Sequence, residues 1–570
     1  MLKLPLLGLL ALACCSRVRA PAVAMTDEAV PGLIEVELRS GAAAPAGMLL
    51  DRRAVEDDEF GEPLRREQDF ELQVAPEDEE QVLISLRARD DVLWAEPVTR
   101  VRALWLPDDP DFSKQWHLKV AGAERAWDIA RGEGVTVAVI DTGIAPVDDL
   151  DPSRIVPGWN FVAGTADARD DNGHGTHVAG TIAQSTGNGK GVAGMAPLAR
   201  LMPIKVLSAS GSGTSHDIAA GIRWAVDHGA RVINLSLGGG ARSLAMETAV
   251  DYARRRGVLV VCAAGNSGSR GVSYPAAYPA SLAVSAVGPA LKSAPYTSYG
   301  PQVAIAAPGG DKSLGEEAGV LQQTLSPDNP QVAAYRWFQG TSMATPHVAG
   351  AAALVESVGI TDPGAVQRLL TSTATDPPEA DDERYGAGIV DASAALRKAT
   401  LWFGGWRLVL ALFGAWFAIR QARAVQHLRA KDKPGPLFAA GLLFGSGAFT
   451  MLAPTGAFEK LQGLSLFSLP PAAWPAHFSV PLVAYAGFSA VVPLLLALPA
   501  RLAQRPLQNA FGAVVAGLAF GQAGTLLHAG LFRTVDLPWL PAWGAALWLV
   551  LNAIVAWVVG RGLLSREAIR

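Results

Sequence analysis

After residue 400 the chain carries apolar stretches at about 401–419, 435–453, 478–499, 509–532 and 540–560, each close to the roughly 20 residues that a bilayer core requires. No other feature constrains the fold as much. Backbone inside a bilayer must satisfy its own hydrogen bonds, and about five such stretches do so as a C-terminal transmembrane helix bundle over 401–570. The connecting segments set the orientation, because Lys and Arg accumulate on the cytoplasmic side. Arg420, Arg423, Arg429, Lys431 and Lys433 follow the first stretch, Arg501 and Arg505 the third, and Arg561, Arg566 and Arg570 the fifth. All three clusters fall on one side, whereas the opposite loops carry only Glu459, Lys460, Arg533 and Asp536. This predicts an integral protein of a bacterial cytoplasmic membrane, with the C-terminus inside and everything before residue 400 outside.

The N-terminus agrees with that orientation. Lys3, an apolar run from Leu4 to Ala13 and the Ala22-Val23-Ala24 triplet read as an export signal over residues 1–24. Lipoprotein processing at Ala13-Cys14 is the alternative. From residue 401 onward there are 13 Lys and Arg against 4 Asp and Glu, so the remainder of this chain of net charge −5 is acidic. An acidic soluble part offers no footprint for nucleic acid, which needs clustered positive charge. Cys14 and Cys15 lie in the apolar run and only Cys262 remains, which excludes a disulfide scaffold and a Cys-rich zinc module.

Residues 25–105 predict a small α+β unit with strand-like stretches at Leu33–Leu38 and Gln81–Leu86. Pro107-Asp108-Asp109-Pro110-Asp111 is turn-rich and marks a boundary. From there to residue 398, short apolar strands (Val135–Ile140, Leu201–Val206, Val232–Leu237, Val258–Ala264) alternate with helical stretches at Ile218–His228 and Ser243–Arg256. That alternation predicts an α/β domain on a buried parallel sheet with flanking helices.

Three segments of this domain carry chemistry. Asp141, in Asp141-Thr142-Gly143, ends the first strand, where open α/β sheets place ligands and catalysis. His174, in Asn172-Gly173-His174-Gly175-Thr176-His177, sits between glycines just before a helix; no Glu accompanies the two histidines at metalloprotease spacing. Ser342, in Gly340-Thr341-Ser342-Met343-Ala344-Thr345-Pro346-His347, opens a small-residue helix. A neutral hydroxyl is a poor nucleophile unless an imidazole removes its proton, and a carboxylate holds that imidazole in the right tautomer. Asp141, His174 and Ser342 supply this set. Asn266, after Ala263-Ala264-Gly265, offers an amide donor to a developing oxyanion. His177 and His347 read as structural and Cys262 as a small apolar strand residue.

These blocks resemble those of the subtilisin family of serine endopeptidases, its thermitase-like members in particular, over roughly residues 107–398. The resemblance implies a subtilisin-like sheet, an acyl-enzyme, protein or peptide substrates, Asp141, His174 and Ser342 as the triad and Asn266 as the oxyanion donor. It implies that Ser236, Leu237, Gly238 and Gly239, with Ala263, Ala264 and Gly265, wall an open pocket beside an added substrate strand. It implies calcium held by Asp109, Asp149 and Asn188, with only a carbonyl from Lys190; the loop with Asp167, Asp170 and Asp171 is a second candidate. Segment 25–105, ending in Asp91-Val92-Leu93-Trp94-Ala95-Glu96-Pro97, resembles an inhibitory, folding-assisting prodomain. The competing function is a non-catalytic membrane receptor or transport component with a subtilase-like binding domain, against which the intact triad argues. In the membrane part, His528 near Gln522 stands out, and Gly441-Leu442-Leu443-Phe444-Gly445 and Gly517-Leu518-Ala519-Phe520-Gly521 read as close helix-packing sites.

Overall fold

The computed structural model describes residues 29–38, 68–75, 78–99, 106–326, 329, 332–424, 434–446, 496–497, 505–532 and 542–563. The export signal and the third apolar stretch, apart from residues 496–497, lie outside them. The chain forms two compact units, 1–103 and 104–570.

In the first unit, strands β1 (Ala29–Leu38), β2 (Gln68–Gln73) and β3 (Val92–Thr99) form an antiparallel sheet in the order β2-β1-β3. Ile34, Val36 and Leu38 alternate into a core closed by Leu83 and Leu86 of helix α1 (Glu79–Arg87). The expected strand at Gln81–Leu86 is therefore a helix. Asp78 precedes it, Glu79 and Glu80 fill its first turn and Arg87 its last, an arrangement suited to the helix dipole, and Leu83 and Leu86 meet the sheet from one face. A six-residue apolar run has no decisive period of its own.

The second unit begins with the short helices α2 (Trp116–Val120) and α3 (Ala123–Ala126) and builds a seven-stranded parallel sheet. Its strands are β4 (Thr136–Asp141), β5 (Trp159–Asn160), β6 (Arg200–Lys205), β7 (Val232–Leu235), β8 (Leu259–Ala263), β9 (Ser281–Val287) and β10 (Val303–Pro308), in the order β10-β9-β8-β7-β4-β6-β5. Period-two alternation splits β4 between two cores. Val137 and Val139 pack with helices α4 (His174–Ala183) and α7 (Thr341–Ser357), while Ala138 and Ile140 pack with α5 (Ser215–Asp227) and α6 (Leu244–Arg255). The earliest strand lies inside the sheet, with β6 on one side and β7 on the other, so strand order reverses there. Crevices outside the carboxyl ends of strands open at such switch points. A hairpin of β11 (Val320–Leu325) and β12 (Ala333–Phe338) covers α4, and α8 (Pro363–Ser372), α9 (Asp382–Tyr385) and α10 (Ala392–Lys398) complete the domain.

Beyond it come α11 (Gly404–Ala424), α12 (Pro436–Gly445), α13 (Arg505–Phe532) and α14 (Ala542–Leu563). Among the described residues two helices, Ala392–Arg420 and Gly512–Leu531, are long and apolar enough to cross a membrane. The second apolar stretch is described only in part, through α12. Gly441 and Gly517 meet each other's helix: a Cβ at Gly441 would strike the Val514 carbonyl and one at Gly517 the Phe438 carbonyl. Gly524 lies against the backbone of Arg407 and Ala411, and Gly560 against Phe520. With Phe403 beside His528 and Gly530 against Ala546 as second points of contact, α11 and α14 run antiparallel to α13.

Candidate active site

Asp141 ends β4 and is fully buried; its Oδ1 accepts from the Thr142 N–H at 2.8 Å and from His174 Nδ1–H at 2.7 Å. His174 opens α4, and the turn before it is held by one carboxylate. Asp170 accepts from the N–H groups of Asn172 (2.9 Å), Gly173 (3.0 Å) and Thr176 (2.9 Å) and from Thr176 Oγ1 (2.7 Å). Gly173 takes φ 102°, which L side chains avoid, and a Cβ at Gly175 would strike the Gly143 carbonyl. The glycines flanking His174 are thus required by the turn and by close approach to β4. Burial alone would lower the pKa of His174, but the charge and hydrogen bond of Asp141, with the charge of Asp170, outweigh it and leave it raised.

Ser342 is the second residue of α7. Pro346, four residues on, has no N–H to give the Ser342 carbonyl. Ser236 Oγ supplies the missing donor at 2.8 Å, and Ser342 Oγ donates in return to the Ser236 carbonyl at 3.1 Å. The structure thus joins Asp141 to His174 by a hydrogen bond and places the Ser342 hydroxyl on Ser236. Asn266 is locked through its oxygen: Oδ1 accepts from the Thr341 N–H and from Thr341 Oγ1, both at 2.9 Å. Its Nδ2 is left toward Gly340, whose hypothetical Cβ would lie 3.5 Å away; Gly340 holds φ 147°.

A cleft of about 600 Å³ runs beside His174, between Gly211–Gly213 and Ser236–Gly240. Ser236, Leu237, Gly238 and Gly239 line it, with Gly239 and Tyr274 exchanging backbone hydrogen bonds at 2.9 Å. Ala263 and Ala264 are buried, the Ala264 carbonyl accepts from the Ser273 N–H, and a Cβ at Gly265 would crowd the hydroxyls of Ser273 and Ser298. Ala263, Ala264 and Gly265 are not among the residues lining this cleft, and the Gly265 N–H donates to Thr341 Oγ1 at 3.2 Å.

His347 Nδ1–H donates to the Met343 carbonyl at 2.8 Å, so its Nε2 must accept, here from His117 Nδ1–H at 2.8 Å. His177 Nε2–H bonds the carbonyls of Val320 (3.0 Å) and Arg336 (3.1 Å), and its ring stacks on Phe338 at 4.3 Å. Burial pushes His347 down to about 4 and His177 to about 3, so both are neutral packing groups. Cys262 is buried in β8, its thiol pushed up to about 12. Lys205 escaped the sequence reading, and Asp170 entered it only as a calcium candidate, not as the carboxylate that holds the turn before His174. Lys205, buried at the end of β6, donates to the carbonyls of Thr142 (2.7 Å) and Leu207 (2.8 Å) and to Asp171 (2.7 Å), tying down the turn after Asp141. A lysine closing an apolar strand was the available signal.

Asp109, Asp149 and Asn188 come together. Asp109 accepts from the N–H groups of Gly187 and Asn188, and Asn188 Nδ2 donates to Asp149 at 2.8 Å. Asp149 also accepts from the Val192 N–H and Tyr335 Oη, both at 3.2 Å. No group of three or more His, Cys, Asp or Glu able to hold a metal occurs among the described residues. In the other candidate loop, Asp167 pairs with Arg169, Asp171 with Lys205, and Asp170 caps α4. Those three carboxylates are engaged by protein groups.

A doubly wound parallel sheet with an Asp–His pair at its switch point and a serine at the start of a buried helix defines the class of serine hydrolases. The family model described as the subtilase family matches residues 132–388. Subtilisin Savinase of Lederbergia lenta is 45% identical over 267 residues, spanning 47% of this chain and 92% of that protein. Thermitase of Thermoactinomyces vulgaris is 40% identical over 256 residues, 45% of this chain and 87% of that one. A solved structure of proteases from Pseudoalteromonas arctica is 38% identical, with a TM-score of 0.49, covering 52% of this chain and 100% of that one. The chain belongs to the subtilase family, and it is a subtilisin-like serine protease.

Proposed function

We propose that this protein is a membrane-anchored endopeptidase that cleaves proteins outside the cytoplasm through an Asp141-His174-Ser342 triad. The 2.7 Å bond between His174 and Asp141 carries the reading, because it fixes the tautomer in which Nε2 is free to take the serine proton. Ser342 forms the acyl-enzyme, and the free amide of Asn266 meets the oxyanion. An extended peptide lies between Gly211–Gly213 and Ser236–Gly239, with apolar side chains before the cut bond. Labelling of wild-type membranes by a serine-directed phosphonate, lost in His174→Ala, tests the assignment.

A general base must be neutral, and the raised pKa of His174 puts its loss of activity above the ordinary range. In a pH profile of kcat/KM, the acid limb is expected above the usual 6.5 and should move down in Asp170→Asn, which removes one of the charges that raise it. A limb below 6.5 in the wild type contradicts this.

Calcium is proposed at Asp109, Asp149 and Asn188, supplemented by carbonyls. Asp109 and Asp149 are buried, and burial raises the pKa of both; a hard cation favours their charged forms. Chelation should lower the Tm of the wild type by roughly 5 °C and leave Asp149→Asn unmoved. Equal shifts in both proteins would place the ion elsewhere.

Segment 25–105 is proposed as the prodomain, inhibiting the groove until self-cleavage near Leu104. The membrane reading is supported by the antiparallel course of α11, α13 and α14, which brings Arg420, the start of α13 and Arg561 to one end and the catalytic domain to the other. A reporter active only outside the cytoplasm should work after residues 399, 465 and 536 and stay silent after 430, 504 and 570. Activity after 430 overturns the orientation.

A further inference from the structure

The start of α11 buries a guanidinium with one nitrogen that no described residue answers. Arg407 is 5% exposed, and its Nε has no hydrogen-bond acceptor among the described residues. It faces α13, where Gly524 packs on its backbone, and one turn further along α13 the fully buried His528 lies tilted against Phe403, ring centroids 5.2 Å apart. A guanidinium N–H buried without an acceptor is costly, and an anion is the group that satisfies it together with the charge. Directly below, one turn along α11 at Leu410, begins an apolar groove of about 160 Å³ between α11, α13 and α14, bounded by Gly414, Gly524, Leu527, Ile554 and Trp557. Arg407, Leu410 and Gly414 are spaced i, i+3, i+7 along one face of α11, so charge and groove are collinear. Ile554 is 53% exposed, which leaves the groove open on its outer side.

We infer that Arg407 and this groove bind one anionic phospholipid of the outer leaflet, its phosphate on the guanidinium and an acyl chain along Leu410 to Trp557. The inference rests on the reading that α11, α13 and α14 cross a bilayer, which puts Arg407 at the outer interface beneath the catalytic domain. Complementarity of charge and shape selects the occupant: a buried cation above an apolar channel suits a ligand with an anionic head and a hydrocarbon tail.

The test uses the full-length protein in neutral detergent, titrated with phosphatidylglycerol or phosphatidylcholine, with thermal unfolding followed by tryptophan fluorescence. Phosphatidylglycerol is expected to raise the Tm by about 5 °C and phosphatidylcholine to leave it unchanged. Arg407→Gln should lose the shift and Arg407→Lys keep most of it. A phosphatidylglycerol analogue with a photoreactive acyl chain should cross-link at Leu410 or Trp557. An undiminished shift in Arg407→Gln, an equal shift with inorganic phosphate alone, or cross-links spread around the bundle overturns the site. Carbonate washing separates the two readings. Protein that stays in the membrane pellet yet ignores phosphatidylglycerol sinks the lipid site alone, whereas protein released to the supernatant sinks the membrane reading and the site together.

Discussion

Ser342→Ala should lower kcat/KM for a peptide substrate by roughly 10⁶, leaving only oxyanion and binding effects of about 10³ to 10⁴ over water. Both magnitudes are those known for subtilisin itself rather than derived from this geometry. The expectation follows from the division of labour at the site. With the hydroxyl gone, the Asp141–His174 pair has no proton to take, while the cleft and Asn266 are untouched. The substitution removes one hydrogen bond, from Ser342 Oγ to the Ser236 carbonyl, and keeps the bond from Ser236 Oγ to the Ser342 carbonyl, so α7 should retain its start. If maturation is self-cleavage, Ser342→Ala should also keep segment 25–105 attached, readable as intact mass. Full phosphonate labelling of the variant would exclude Ser342 as nucleophile, and an N-terminus shared by both proteins would exclude self-processing.

Asn266→Ala should reduce turnover by roughly 10² to 10³ with little change in KM, because an oxyanion donor acts mainly as charge develops; this range too is the one known for subtilisin. A second substitution isolates the donor. Asn266→Asp retains an acceptor for both bonds from Thr341 but has no N–H to offer and adds negative charge where the oxyanion forms. It should fold like the wild type and lose at least as much turnover as Asn266→Ala. If Asn266→Asp turned over normally, the role of Asn266 would be to position Thr341, and the donor would lie elsewhere.

Much of this was legible in the chain because it is encoded locally. β4 and β7 follow from the apolar runs at Val135–Ile140 and Val232–Leu237, and α5 and α6 from helical periodicity at Ile218–His228 and Ser243–Arg256; their N-caps, Thr214 and Ser243, were found in the structure. Asp141, His174 and Ser342 announce themselves through the glycines and small residues around them, which a tight turn and a close helix–strand approach require. The segment Gln81–Leu86 misled because its core face is set by β1, a partner some fifty residues earlier.

What only tertiary structure decided are pairings that no spacing records. Ser236 answers a carbonyl that Pro346 leaves without a donor, although the two hydroxyl residues are 106 positions apart, and His117 gives its proton to His347 across 230. Lys205 ties down the turn after Asp141 only because β6 lies beside β4 in register. Each depends on a donor meeting an acceptor after the sheet has formed. A single residue's need for a partner is visible in a sequence, but which residue answers it is fixed by strand order and helix packing.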